Sequence, residues 1–392
     1  MILLIPVWIV GIEILASLLP RRGSRVDASA LRPRVGVLIP AHNEASVIAT
    51  TLQSIRPQLR EGDRLLVVAD NCTDDTAALA REHGAEVVER SDAVLRGKGY
   101  ALDFGVQALS ADPPPVVVLL DADVTVRPDT IDLLSRQALA TGSPAQGVYV
   151  LREAPASDGH DIVSHLAFVV RNQVRPLGLA RLGGPCPLFG AGMAFPWEII
   201  VGAPLATGNI VEDMALGLDL AATGRAPLLC TEASIDGTLP RARTAASIQR
   251  RRWEHGHLRT ILTHVPRTFL LGIVKLRPHA AMLAADLFVP PLSFQVLVML
   301  LSAAVGVLSW SIFGTSIGPA FTLLGGTLFL IVLLLVAWMR FSSHGWDIRP
   351  LFAVPGYVMR KIPMYFAFFA KGEKEWKRTD RSDTPAAPST KS

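Results

Sequence analysis

The stretch Pro115-Val-Val-Val-Leu-Leu-Asp121-Ala-Asp123 sets the reading of the whole chain. Its five apolar residues, mostly β-branched, predict a fully buried strand of a sheet covered on both faces. Two carboxylates then arrive two residues apart at the strand's C-terminal end. Alternate residues of a strand point to the same side, so Asp121 and Asp123 are expected to converge on one cation. Open α/β sheets take their ligands at the carboxyl ends of the strands. Paired aspartates there suit Mg²⁺ or Mn²⁺, hard ions that share their shell with phosphate oxygens. The competing reading is a plain turn, since Asp after a strand also caps the next element.

Upstream, 34–40 reads as a first strand ending in Ala41-His42-Asn43-Glu44, followed by helical spacing through Ile48, Leu52 and Ile55 that closes at Pro57. A second strand, 64–69, ends in Asp70-Asn71. Thr73 or Asp74 can cap the Ala-rich helix over 76–83, with Gly84 as its stop. A short third strand covers 85–89, and Gly97-Lys98-Gly99 opens a helix through Leu109. Strands alternating with helices predict an α/β domain with a mostly parallel sheet and right-handed crossovers, a nucleotide-binding architecture. Gly97-Lys98-Gly99 lacks a third glycine and does not follow the first strand, which argues against a dinucleotide-binding dehydrogenase. Downstream, 162–174 looks helical, and small residues flank Met193 in Phe189-Gly190-Ala191-Gly192-Met193-Ala194-Phe195, so a ligand can approach the backbone there. Glu212-Asp213 precedes an apolar-periodic helix, whose dipole they would stabilise if they are not catalytic. Gln249-Arg-Arg-Arg252-Trp253 reads by itself as a basic amphipathic helix on a membrane surface. His255 and His257 have no other plausible ligands nearby, so no metal is assigned to them.

The chain has 392 residues, half of them hydrophobic, with a net charge of +4. No cluster of Lys and Arg with interleaved aromatics marks a nucleic-acid surface. Three cysteines without CxxC spacing fit neither a zinc site nor a disulfide framework and are read as reduced and buried. The apolar excess lies in 1–20 and after Met282. Residues 1–20 are expected to form a transmembrane helix, kept N-terminus-out by Arg21, Arg22 and Arg25, with Glu13 against another helix. A soluble domain over 30–260 then faces the cytoplasm. Next come an interfacial helix at 261–280, two transmembrane helices within 281–340, and an interfacial or re-entrant segment at 351–370. The cytosolic tail, 371–392, is expected to be partly disordered.

Taken together, these pieces resemble the inverting family 2 glycosyltransferases of GT-A fold, in particular the membrane-bound branch of bacterial exopolysaccharide type. Cellulose and hyaluronan synthases and ceramide glucosyltransferase are more distant relatives. The resemblance spans about 34–255 and rests on the ordered set Pro40-Ala-His42-Asn-Glu44, Asp70, Lys98, Asp121-Ala-Asp123, Glu212-Asp213 and Gln249-x-x-Arg252-Trp253. It implies a nucleotide-diphospho-sugar donor, a UDP-sugar first of all, bound by Pro40, His42, Glu44, Asp70, Lys98, Asp121, Gln249 and Arg252. It implies Mg²⁺ or Mn²⁺ at Asp121 and Asp123, and Asp213 as catalytic base. Gly190, Ala191, Gly192, Met193, Glu212 and Trp253 would face a lipid-linked or saccharide acceptor. The expected setting is the bacterial inner membrane, with the catalytic domain cytosolic. Two other readings stand beside single transfer: a processive synthase of the cellulose or hyaluronan type, and a non-enzymatic membrane scaffold that keeps the nucleotide pocket. Two departures from the family pattern are Asn71 after Asp70 and Val211 before the Glu-Asp pair, where many relatives have Thr.

Overall fold

The computed structural model describes residues 1–20, 31–152, 159–207, 212–238, 243–342 and 349–371. Arg21, Arg22, Arg25, Val211 and nearly all of the tail lie outside these residues. The first half follows the alternation read from the sequence. Strand β1 (Val35–Ala41) leads to α2 (Ile48–Ile55), β2 (Arg64–Asp70), α3 (Thr76–Glu82), β3 (Glu86–Arg90), α4 (Lys98–Leu109) and β4 (Val116–Leu119). Helix α1 (Ile5–Ser17) precedes them. Then come β5 (Val124–Val126), α5 (Thr130–Thr141), β6 (Ala145–Arg152), α6 (Gly159–Val169), a π-helical turn (Val170–Val174) and α7 (Arg175–Arg181). Strand β7 (Met193–Pro196), the single turn α8 (Trp197–Ile200), α9 (Glu212–Thr223) and β8 (Leu228–Thr238) complete the sheet, whose order is β3-β2-β1-β4-β7-β6-β8-β5.

Side-chain alternation along the strands divides the core into two layers. Val35, Val37 and Ile39 of β1 pack with Ile48 and Leu52 of α2 and Leu134 of α5. Leu38 faces the other way, with Leu102 and Val106 of α4 and Leu216 of α9. The domain is α/β, as expected, and its sheet is mixed: parallel pairings, which include β6 with β8, stand beside antiparallel ones. β1 to β4 are mutually parallel, whereas β7 runs antiparallel to both β4 and β6, and β5 antiparallel to β8. The reason is where β7 begins: Gly192 donates its N–H to Leu119 O at the end of β4 (3.0 Å), so the following strand can only run back along it.

Helix α10 (Arg243–Thr263) leaves the sheet and is followed by α11 (Val265–Val274) and α12 (Pro278–Phe288). The chain breaks at Pro290-Pro291, as the missing N–H groups require. α13 (Leu292–Phe313) and α14 (Gly318–Phe341) follow, of 22 and 24 residues with mean hydropathies of 2.3 and 2.6. At 1.5 Å per residue both exceed the ~30 Å of a hydrocarbon core. They are the two helices among the described residues long and apolar enough to cross a membrane. α1 is shorter than the expected 1–20 span, with 13 α-helical residues. Its face of Val7, Val10 and Ile14 packs against α14 and the π-helical turn, while Ile5, Trp8, Ile12 and Leu15 are exposed on the other side. Arg175 of α7 is buried between Glu13 of α1 (2.5 Å) and Asp286 of α12 (2.7 Å), so an ion triad joins three elements distant in sequence. The last helix, α15 (Val354–Lys371), lies against α10 and α13.

Candidate active site

A cavity of about 540 Å³ opens at the C-terminal ends of β1, β2 and β4. Asn43 and Asn71, just past β1 and β2, take left-handed backbone conformations (φ 54° and 52°), which asparagine tolerates better than most residues. These turns fold the following side chains inward. His42 donates from Nδ1 to Asp70 O (2.6 Å), which fixes the orientation of its ring. Asp70 is nearly buried, and its Oδ1 accepts from Arg90 Nη1 (2.7 Å) and from Asn71 Nδ2 (3.0 Å). Pro40, His42, Glu44 and Asp70 all line the cavity.

Asp121 and Asp123 reach the same space by a route the sequence did not show. β4 ends at Leu119, so the two acids lie in the turn between β4 and β5 and not on a strand. Ala122 between them is buried, its carbonyl accepting from Thr51 Oγ1 (2.8 Å), and the acids flank it into the cavity. Lys98, at the start of α4, donates to Asp121 Oδ1 (2.5 Å) and to Gly190 O (2.7 Å). Gly190 (φ +85°) cannot be replaced cheaply, because a Cβ there would lie 3.3 Å from both Asp213 Oδ2 and Lys98 Nζ. Asp213, in the first turn of α9, faces the same space beside Gly190 as Lys98 does. Its Oδ1 accepts the N–H of Met214 (2.9 Å).

Burial raises the Asp213 pKa above the ordinary carboxylate value, against the pull of Lys98. Burial likewise pushes Glu212 up to about 7, opposed by Lys98 and assisted by Asp213. Burial works against the charge of Lys98, but Asp121, Glu212 and Asp213 outweigh it and hold the ammonium above its usual pKa. A carboxylate kept basic in a closed site can accept a proton from a hydroxyl. The donor chemistry at Asp121 and Asp123 also suits a divalent ion. Two carboxylates face one space, and one of them already accepts a cation, Lys98. Among the described residues no third acid, histidine or cysteine joins them, as fits an ion that takes its remaining oxygens from a diphosphate.

α10 forms the remaining wall. Gln249, Arg252 and Trp253 line the cavity, and Gln249 Oε1 and Arg252 Nε are buried without a hydrogen-bond partner among the described residues. Buried polar atoms left open in this way are suited to a polar ligand. The helix is bolted in place from behind. His257 Nε2 donates to Leu287 O (3.0 Å), and burial lowers its pKa to about 3, so it stays neutral. His255 Nε2 donates to Met364 O (3.0 Å), and Glu254 binds Lys361 and accepts from Tyr365 Oη (2.7 Å). Neither histidine faces the cavity.

The expected acceptor loop is only partly correct. Gly190 lines the cavity, but Ala191, Gly192 and Met193 do not: Ala191 and Gly192 lead into β7, which starts at Met193, and Ala191 and Met193 are in the core. Gln146 of β6 fastens this segment, accepting from Phe189 N (2.9 Å) and donating to Ala191 O (2.9 Å). Sequence reading also missed Arg171, Asn172, Tyr149 and Phe168, all of which line the cavity. Phe168 lies between Tyr149 and Trp253, with ring centroids 5.5 and 6.1 Å away. Arg171 and Arg175, four apart in the helical pattern read over 162–174 and just beyond it, were the available signal.

Residues 36–193 match the family model Glycosyl transferase family 2, and residues 116–344 match Glycosyl transferase family group 2. The chain is 37% identical over 106 residues to a glucosyl-3-phosphoglycerate synthase of Mycobacterium tuberculosis, covering 25% of this chain and 32% of that protein. It is 36% identical over 105 residues to a 4,4'-diaponeurosporenoate glycosyltransferase of Staphylococcus aureus, covering 26% of this chain and 27% of that one. The matched stretch thus spans about a third or less of these curated relatives. Among solved structures, a mannosyltransferase from Pyrobaculum calidifontis in complex with GDP-Man and Mn²⁺ aligns with 85% of this chain and 97% of its own, at 20% identity and a TM-score of 0.47. The mycobacterial synthase with Mn²⁺, UDP and glucosyl-3-phosphoglycerate aligns with 57% of this chain and 80% of its own, at 24% identity and a TM-score of 0.39. The match over 116–344 takes in more than half of the chain, and on that ground the protein belongs to Glycosyl transferase family group 2.

Proposed function

We propose that the protein transfers a single sugar, with inversion, from a UDP-sugar to a lipid-linked acceptor at the cytoplasmic face of a bacterial inner membrane. The observation that carries this reading is the union, in one cavity, of the Asp121–Asp123 turn with Asp213, with Lys98 bonded to Asp121 and its charge acting on Asp213. Asp70 holds the nucleoside. Lys98, Gln249 and Arg252 supply donors to the diphosphate, where negative charge grows as the leaving group departs. Asp213 accepts the proton of the attacking hydroxyl, and attack opposite the leaving group inverts the anomeric carbon. Mg²⁺ or Mn²⁺ at Asp121 and Asp123, when bound, neutralises the diphosphate as a Lewis acid. Trp253 and Phe168 offer apolar faces to the acceptor.

In this reading α13 and α14 cross the membrane, α1 inserts beside them, α11 and α15 lie at the interface, and the domain over 30–260 is cytosolic. Two long spans among the described residues favour one transfer over a polymer channel, which needs helices to line it. The test is a time course with radiolabelled nucleotide sugars and extracted membrane lipids, resolved by size. A single labelled lipid, dependent on divalent metal, is expected at all times. A growing ladder from the purified protein would replace this reading with the processive one.

A further inference from the structure

Helix α2 carries two kinds of face. Ile48, Leu52 and Ile55 are in the core with β1, as their spacing predicts. Thr51 and Ser54, with Gln58 in the 3₁₀ turn Arg56–Gln58 that continues the helix, follow one another at helical spacing on a polar stripe. All three side chains bond to one stretch, 122–131, which holds the end of the Asp121–Asp123 turn, β5 and the start of α5. Thr51 is buried, and its Oγ1 donates to the carbonyl of Ala122 (2.8 Å), the residue between the two acids. Ser54 Oγ accepts from Val126 N (3.0 Å) while donating to Thr51 O (2.7 Å). Gln58 Nε2 donates to Arg127 O (3.1 Å), and its Oε1 accepts from Ile131 N (3.2 Å).

These bonds meet needs that the segment cannot meet alone. β5 lies at the edge of the sheet, where one row of backbone groups has no neighbouring strand. Ile131 is in the first turn of α5, whose N–H groups have no acceptor within the helix. Apolar packing would hold α2 against the sheet, but it would not fix where a turn stops along the helix. Hydrogen bonds do so, because each sets a distance and a direction. Carboxylates that share one ion must be held to within about 0.5 Å, which takes further bonds behind them.

We infer that Thr51 is a positioning residue for the divalent ion: its hydroxyl sets the place of Ala122, and with it the approach of Asp121 and Asp123 to one another. Ser54 and Gln58 extend the same brace along β5 and into α5. None of the three lines the active cavity, so their effect on the ion passes through the turn. The inference rests on the assignment of the metal to Asp121 and Asp123 above, and adds the residues that hold those acids in place.

The test is Mn²⁺ titration of the full chain in nanodiscs at saturating UDP, with free Mn²⁺ read by electron paramagnetic resonance. Thr51→Val keeps the branched shape and lacks the hydroxyl donor. It should weaken Mn²⁺ binding about 10–100-fold, the range for groups that orient metal ligands. Thr51→Ser, which restores the donor, should recover most of that loss. UDP binding without metal should be the same in all three proteins. Mn²⁺ added to the UDP-bound unmodified protein should slow amide hydrogen exchange in peptides covering 124–131, a readout that stands even if Thr51→Val fails to fold. Unchanged Mn²⁺ affinity in Thr51→Val, an equal loss in Thr51→Ser, a parallel loss of metal-free UDP binding in a folded variant, or unaltered exchange over 124–131 would each overturn the brace. Wild-type protein that binds no Mn²⁺ beside UDP would instead refute the metal reading in the proposed function, and this inference with it.

Discussion

At the scale of single residues, the site is a small group of charges whose roles can be separated. Asp121→Asn removes the partner of Lys98 and, in the proposed mechanism, a carboxylate that would hold the metal. It should weaken UDP-sugar binding in the presence of Mn²⁺ and cut turnover severely. Asp213→Asn keeps the shape and removes the proposed base, so on that proposal UDP affinity should hold while kcat falls about 10²–10⁴-fold. Titration with UDP beside single-turnover kinetics distinguishes them, and the opposite pattern would reverse the two roles. Glu212 gives a prediction about stability. Its folded pKa is raised by burial to about 7 from the ordinary glutamate value of 4.5. Between these values the folded state holds a proton that the unfolded state has released, so stability falls as pH rises through this window. Glu212→Gln abolishes the loss. The variant should therefore gain on the order of 1–3 kcal/mol over the wild type at pH 8 and little at pH 5. Equal shifts in thermal midpoint at both pH values would refute the assignment.

At the scale of elements, the seating of α1 on α7 is what ties the N-terminal apolar helix to the catalytic domain. Gly178 makes the contact possible: a Cβ there would lie 2.0 Å from Glu13 O, a backbone atom that cannot swing aside. Gly178→Ala must push α1 away and stretch the buried contact between Glu13 and Arg175. A cost of roughly 1–3 kcal/mol is expected for overpacking of this kind, read as a lowered thermal midpoint in detergent. An unchanged midpoint would mean that α1 is not held there. Arg175 is four residues past Arg171, so the same displacement should also disturb the wall of the active cavity. α10 shows the same logic, since Trp253 is presented to the site by a helix that His257 and Glu254 fasten to α12 and α15.

At the scale of the whole molecule, the two long apolar helices and the flanking charges predict a sidedness. With the domain over 30–260 and the tail both cytosolic, protease added to sealed inside-out vesicles should cut both regions. Intact spheroplasts should protect them. Protection in the inside-out vesicles would overturn the arrangement.

The periodic parts of this architecture were legible in the sequence. Short apolar strand runs alternating with helical spacing marked the parallel half of the sheet, and uninterrupted apolar runs marked α13 and α14. Burial of such segments is decided by local pattern. The ordered motifs located Asp70, Lys98, Asp121, Asp123, Asp213, Gln249, Arg252 and Trp253, and all of them line one cavity. Tertiary structure decided what depended on contacts between distant segments. The return of β7 along β4 turned the sheet mixed and took Ala191, Gly192 and Met193 out of the site. A turn, not strand alternation, aimed Asp121 and Asp123. Arg171 faces the cavity because the π-helical turn and α7 are docked against α1, α12 and α14. A side chain's surroundings in such a place are set by helices more than 100 positions away along the chain, and no local window of sequence contains them.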